Sequence, residues 1–292
     1  MRNCHFLETG TEMDIVSRKE DVRRLRWVDA PSVWGLVPTM GCLHEGHLEL
    51  IRRARAENDR VGVSIFVNPA QFNNAEDLEK YPRDMDRDAA LLEKAGVDLL
   101  WTPTPDIVYP EGYQTYVDVG PVTRFLEGVS RPGHFRGVAT VVAKLFNVFQ
   151  PARAYFGQKD AQQVVVIRRM AADLDFNLQV VVCPTVREKD GLAMSSRNLR
   201  LPPEHRRQAV CLYEALLAAG KACHSGVRDA ESLKKTMLDV ISAAPAACID
   251  YVSAADPETL EELDTVTDAV LLSLAVSFGA VRLIDNMMLE MT

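Results

Sequence analysis

Two histidines three residues apart, His44 and His47, lie in the run Pro38-Thr39-Met40-Gly41-Cys42-Leu43-His44-Glu45-Gly46-His47. A strand-like apolar stretch precedes the run and a helix-like one follows it. The start of a helix offers unpaired N–H groups and the positive end of the helix dipole, so an anion is favoured there. Gly41 and Gly46 would let the backbone approach a phosphate closely. Imidazoles at i and i+3 can both face that anion and, protonated or as N–H donors, stabilise charge on a polyphosphate. A histidine pair at this spacing can otherwise be half a metal site or a surface feature; its place between strand and helix favours phosphate.

Three further segments could complete such a site. Gly157-Gln158-Lys159-Asp160 also stands between a strand and a helix. Lys159 would be a point charge for phosphate and Asp160 a helix cap; taken alone, the segment reads as a capped turn. Met194-Ser195-Ser196-Arg197 combines two hydroxyls with a guanidinium, suited to the outer phosphates of a triphosphate. Arg187, Lys189 and Asp190 precede it, so this charged segment could close over a substrate. In Phe66-Val67-Asn68-Pro69-Ala70-Gln71-Phe72-Asn73, Gln71 can both donate to and accept from a hydroxylated acid, although Asn-Pro alone suggests an ordinary turn. Asp84, Asp86 and Asp88 could help place Mg²⁺ or form a solvated helix face. The basic, glycine-rich stretch 131–140 is either a loop over the cleft or a packed turn.

These segments need a scaffold. Apolar runs at 32–38, 61–67, 97–101, 152–156 and 178–183 read as strands. Helical spacing is found at 47–57, where Leu48, Ile51 and Ala54 share a face, and at 84–95, 138–149 and 159–173. Apolar strands separated by amphipathic helices imply a parallel sheet covered on both faces and doubly wound, with ligands at the carboxyl ends of its strands. After residue 184 the texture changes: helices near 204–219 and 229–243, then strands at 248–254, 268–277 and 280–285. The expectation is an α/β domain over 1–184 and a smaller α+β domain over 185–292.

Composition narrows the function. A net charge of −8 argues against non-specific nucleic-acid binding, which needs a basic face, but not against a small anion in a focused cleft. Six scattered cysteines without a C-x-x-C pair suit a reduced, cytoplasmic protein rather than a disulfide or zinc framework. No run of eighteen apolar residues suggests a membrane span. The first fourteen residues lack the apolar block of a signal peptide, and Glu20 and Asp21 interrupt the arginine-rich stretch 18–26, which argues against a transit peptide. Met13 is an alternative start.

PTMGCLHEGH, FVNPAQF, EDLEKYPRD, SRPGHFRGVATVVAKLFN, FGQKDAQQ and MSSRN, in this order from residue 33 to 201, resemble the pantothenate synthetase family, as does the closing RLIDN at 282–286. The resemblance implies a Rossmann-like, nucleotidylyltransferase-type sheet with a C-terminal lid, a homodimer, and Mg²⁺-ATP bound between the domains. It implies ATP contacts at Met40, Gly41, Cys42, Leu43, His44, Glu45, Gly46 and His47, at Gly157, Gln158, Lys159 and Asp160, at Val186, and at Met194, Ser195, Ser196 and Arg197. His47 matches the family's proton donor and, with His44 and Lys159, would carry the catalysis. Gln71 and Gln163 match its pantoate contacts, with Gln71 also near β-alanine. The implied reaction joins pantoate to β-alanine through a pantoyl-adenylate, releasing AMP and pyrophosphate. The sequence departs from the family pattern at Ala161, where many relatives carry an aromatic, and at Arg87, where relatives can carry a carboxylate; its first dozen residues are extra. A nucleotidylyltransferase that stops after the first transfer, a tRNA synthetase sharing H-x-G-H, and an ATP sensor without turnover are the rival readings.

Overall fold

Strand β2 (Trp34–Thr39) is buried almost end to end, and β3 (Arg60–Ile65) likewise. Burial without alternation marks strands covered on both faces. In the computed structural model, which describes residues 13–28, 31–73 and 75–291, both are inner strands of a parallel sheet. The remaining elements of this part are β1 (Asp14–Val16), α1 (Lys19–Val28), α2 (Glu45–Glu57), α3 (Ala75–Glu79), α4 (Met85–Lys94), β4 (Leu99–Trp101), α5 (Pro105–Val108), α6 (Glu127–Ser130), α7 (His134–Phe149), β5 (Arg153–Gly157), α8 (Ala161–Asp173) and β6 (Gln179–Cys183).

The sheet order is β1-β4-β3-β2-β5-β6, every pair parallel. From β2 the chain builds outward through β3 to β4; from β5 it builds the other way, to β6. The direction of winding therefore reverses between β2 and β5, which pair through Gly35↔Arg153 and Leu36↔Ala154. Consecutive residues of β2 face opposite layers, as the strand period requires. Leu36 joins the core under α7 with Phe146, Phe149 and Phe156. Val37 joins the core under α2 with Ile51, Ala54, Val63 and Tyr155.

After β6 come α9 (Pro203–Gln208), α10 (Cys211–His224), α11 (Ala230–Ile241), β7 (Ala247–Ala255), β8 (Ala269–Phe278) and β9 (Val281–Glu290). The three strands form an antiparallel sheet in the order β7-β8-β9, and α10 and α11 share a separate core with it, which includes Leu216, Leu233, Leu272 and Phe278. A cluster of ion pairs ties β9 to α6: both guanidinium arms of Arg282 donate to Glu127 at 2.8 Å, and Tyr251 adds its hydroxyl at 3.1 Å.

The structure corrects several sequence expectations. The helix expected near 204–219 is two, α9 and α10. Strand β9 continues to Glu290, past the expected end at 285. The arginine-rich stretch 18–26 is mostly α1, whose Val22 is fully buried. The edge strand β1 went unread. The first dozen residues, with Cys4 and the question of the start, lie outside the described residues. Among the described residues, no helix is long and apolar enough to cross a membrane.

Candidate functional site

His44 occupies the N-cap of α2, and its ring Nδ1 accepts the Gly46 N–H at 3.1 Å. His47 answers it: its Nδ1 accepts the His44 N–H at 3.2 Å. This reciprocal capping satisfies two of the helix's free donors and fixes both tautomers. Each Nδ1 faces a backbone donor, so each neutral ring carries its proton on Nε2. Burial, with the charge of Lys159 nearby, pushes His44 down to about 4; burial, with His44 beside it, pushes His47 to about 3. The pair therefore offers neutral N–H donors rather than the cations that the sequence allowed. Gly46 is glycine because a Cβ there would lie 2.9 Å from the His44 ring.

The loop before α2 holds an anion, but not the expected one. Gly41 and Cys42 are both left-handed, with φ of 81° and 51°. Successive N–H groups in such a turn form a concave anion site. Asp88 of α4, nearly fully buried, fills it: its carboxylate accepts the Cys42 N–H at 2.6 Å and the Leu43 N–H at 2.9 Å. Arg87 braces the same loop by donating to the Leu43 carbonyl at 3.1 Å. A Cβ on Gly41 would meet Ile65 and Asp88, so this glycine serves the Asp88 contact instead of a close approach to phosphate. Asp84 caps α4 by accepting the Arg87 N–H. Of the three acidic residues considered for Mg²⁺, Asp84 and Asp86 are exposed and only Asp88 is taken up by the loop. Among the described residues, no cluster of three or more His, Cys, Asp or Glu could cage an ion.

Lys159 follows β5 in a single 3₁₀ turn, Gln158–Asp160, and is largely buried. Asp160 stands at the N-cap of α8, but its side chain caps nothing; it faces Lys159 at 3.8 Å. Past β6 a short hairpin closes through Arg187↔Ala193 and the Met194 N–H to the Val186 carbonyl at 2.9 Å. It delivers residues 194–197. The Ser195 hydroxyl accepts the Arg197 N–H at 3.2 Å, and Arg197 lies 3.4 Å from Asp77. Of the three charged residues noted before this segment, two are engaged in structure, Arg187 with Asp285 and Asp190 with Arg206, and Lys189 is exposed.

Gln71 ends a 3₁₀ turn beside α7. Its carboxamide accepts from Asn68 at 3.0 Å and donates to the Met40 sulfur at 3.1 Å. Asn68 is buried and takes the Tyr109 hydroxyl at 2.8 Å. Arg131 donates to His134 Nε2, so His134 Nδ1 carries the proton and donates to the Gln71 carbonyl at 2.8 Å. Burial and Arg131 push His134 down to about 4. The stretch 131–140 is thus part loop and part first turns of α7.

One cleft, about 240 Å³, lies at the carboxyl ends of β2, β3, β5 and β6. Met40, His44, Gly46, His47, Gln71, Gly157, Lys159, Asp160, Gln163, Val186, Met194, Ser195, Ser196 and Arg197 all line it. A second cavity of about 420 Å³ opens toward β9 and shares Arg131, Lys159, Asp160, Ser195 and Arg197. Gly41, Cys42, Leu43, Glu45 and Gln158 line neither. Sequence reasoning missed Asn68, Arg131 and His134 as supports of Gln71, though all three fell inside noted segments. It also missed Ser64 and Thr185, whose buried hydroxyls line the cleft without a protein partner; single hydroxyls in apolar runs carry no signal.

The family model described as pantoate-beta-alanine ligase matches residues 14–288. The chain belongs to the pantoate–β-alanine ligase family. Pantothenate synthetase of Roseiflexus sp. (strain RS-1) is 59% identical over 256 residues, 88% of this chain and 92% of that one. Pantothenate synthetase from Thermus thermophilus superposes with a TM-score of 0.90 at 48% identity, covering 94% of this chain and 99% of that one. The Francisella tularensis ligase, crystallised with β-γ ATP and β-alanine, gives 0.79 at 35%, with 94% and 97% covered. Family membership makes the chain a ligase, an enzyme, and the parallel sheet with its small antiparallel partner is the family's fold.

Two outcomes follow from this geometry. Asp88→Ala strands two buried N–H groups, at about 1–3 kcal/mol each, so urea unfolding shifts to lower denaturant by a corresponding total of about 2–6 kcal/mol; an unchanged midpoint would contradict the Asp88 clamp. The folded pKa values of His44, His47 and His134 lie below the unfolded value near 6.5. Unfolding therefore takes up protons below that value, and stability falls as pH drops from about 6.5 toward 4. Urea midpoints at pH 7 and pH 5 check this, the lower one being expected at pH 5.

Proposed function

We propose that the enzyme condenses (R)-pantoate with β-alanine, consuming ATP and releasing AMP and pyrophosphate through an enzyme-bound pantoyl-adenylate. The observation that carries this reading is the convergence of His44, His47, Lys159 and residues 194–197 on one cleft, with Gln71 and Gln163 at its inner wall. The Francisella relative, holding a β-γ ATP and β-alanine, supports the pairing of substrates.

In the first step a pantoate carboxylate oxygen attacks the α-phosphorus of ATP. The bond from that phosphorus to the bridging oxygen breaks, and pyrophosphate leaves with the electron pair. His44 and His47 donate hydrogen bonds from Nε2–H to the phosphates, while Lys159, Ser195, Ser196 and Arg197 offset the charge that shifts onto the leaving group. Arg197 exchanges Asp77 for phosphate. Gln71 and Gln163 hydrogen-bond pantoate and hold its carboxylate in line, replacing a bimolecular encounter with a positioned one. In the second step the neutral amine of β-alanine attacks the adenylate carbonyl. The carbon–oxygen bond breaks, AMP leaves with that oxygen, and the amine gives up a proton. No enzyme nucleophile is needed.

Mg²⁺ would enter with the triphosphate and offset its charge; the described residues include no group of three or more His, Cys, Asp or Glu to hold it alone. We also infer a division at 184/185, with residues 185–292 acting as the lid, and a cytoplasmic homodimer that binds neither nucleic acid nor membrane. The buried free thiols of Cys42, Cys183, Cys211 and Cys223 suit a reducing compartment.

Purified enzyme given Mg²⁺-ATP, pantoate and β-alanine should yield AMP and pantothenate by mass spectrometry, and no pantothenate when β-alanine is left out. ATP consumption with a different acid or amine would overturn the substrates. His47→Ala or Lys159→Ala should lower kcat about 10²–10³-fold with the fold retained; normal turnover would remove that residue from the mechanism. Gln163→Ala should raise KM for pantoate about 3–10-fold, and an unchanged pantoate dependence would contradict its assignment.

A further inference from the structure

Lys159 has no helix or strand of its own. It hangs on a one-turn 3₁₀ segment between β5 and α8, and the cap residue Asp160 does not fasten that turn. Its fastening comes from the other sheet. Asn286 of β9, about 5% exposed, donates its amide to the Gln158 carbonyl at 3.0 Å and to the Lys159 carbonyl at 2.8 Å. Its own carbonyl accepts the Gln158 side-chain amide at 3.1 Å. Three hydrogen bonds therefore run between a buried carboxamide and a turn more than a hundred residues away. They explain why Gln158, a candidate ATP contact, faces β9 instead of the cleft.

The carboxamide is itself held from behind. The preceding residue, Asp285, is almost fully buried and receives both arms of Arg187, at 2.6 and 3.0 Å, and the Asn286 N–H at 2.8 Å. Arg187 stacks on Tyr213, with 3.9 Å from guanidinium to ring centre, and sits in the hairpin that delivers residues 194–197. One point on β9 thus grips both loops that carry phosphate-facing cations.

We propose that Asn286 is a positioning residue for the adenylating step: by fixing the Gln158 and Lys159 carbonyls it aims the Lys159 ammonium at the triphosphate. This rests on the role assigned to Lys159 above. The chemistry of the contact is particular to asparagine. It uses two donors and one acceptor, and an aspartate of the same shape would set a carboxylate oxygen against two carbonyls. Positioning of this kind is worth as much as the group positioned, since a displacement of about 1 Å can cost about 10²-fold in rate.

A double-mutant cycle on pyrophosphate release, with pantoate, β-alanine and Mg²⁺-ATP all saturating, tests this. Asn286→Asp should lower kcat about 10–100-fold. In the Lys159→Ala background the same change should cost less than about twofold, because a residue acting through Lys159 has nothing left to act on. Equal losses in both backgrounds would make Asn286 a structural residue only and overturn the proposal. Should Asn286→Asp not fold, Asn286→Ala, which removes the bonds without adding charge, runs the same cycle with the same expectation. Lys159→Ala without effect by itself would be a separate failure: it would remove Lys159 from the reaction, and the positioning role with it.

Discussion

The reversal of winding between β2 and β5 is the constraint on which the site depends. Two neighbouring parallel strands leave the sheet in opposite directions, so the loops after them part and leave a crevice at their carboxyl ends. The loop after β2 brings His44 and His47; the turn after β5 brings Lys159. Among the described residues, β2 and β5 are the one adjacent pair whose following connections lead outward in opposite directions. Residues more than a hundred positions apart meet because Gly35 and Leu36 pair with Arg153 and Ala154. The hairpin after β6, the turn after β3 and the face of α7 that carries Val138, Val141 and Leu145 line the rest.

Inside the crevice the enzyme offers donors more than charge. The concave turn at Gly41 and Cys42 would attract phosphate, but Asp88 satisfies it and fixes the loop instead. The two imidazoles, kept neutral by burial, accept from backbone on one side and present N–H on the other. Positive charge is left to Arg131, Lys159 and Arg197, the last two each beside an aspartate that a polyanion would displace or share. Donors that are already oriented need no reorganisation when charge shifts in the proposed adenylation. The supports are buried carboxylates and carboxamides: Asp88 behind the histidines, Asn68 behind Gln71, Asn286 behind Lys159.

Much of this was legible in the sequence, and the boundary has a physical cause. β2 and β3 announce themselves as apolar runs because both faces are covered, and α2 and α7 by their spacing. The cleft-lining side chains lie in loops whose residue types have few structural reasons to occur together. Three things were hidden. The break between α9 and α10 falls among good helix formers, so local propensity runs through it. β1 and α1 form an edge with a single fully buried anchor, Val22, too little for a period to show. Asp88 and Asn286 act by what they touch across the fold, and spacing along the chain says nothing about that. Asp88 looked like one acid of a solvated series, and only its burial distinguishes it from Asp84 and Asp86.

The central claim is that the carboxylate of pantoate becomes bonded to the α-phosphorus in this cleft. Pantoate labelled with ¹⁸O in its carboxylate, turned over with ATP and β-alanine, tests it most directly. Attack on the α-phosphorus followed by carbon–oxygen cleavage carries one labelled oxygen into the phosphate of AMP. Label retained entirely in the organic product, or delivered to pyrophosphate or inorganic phosphate, would contradict the adenylate.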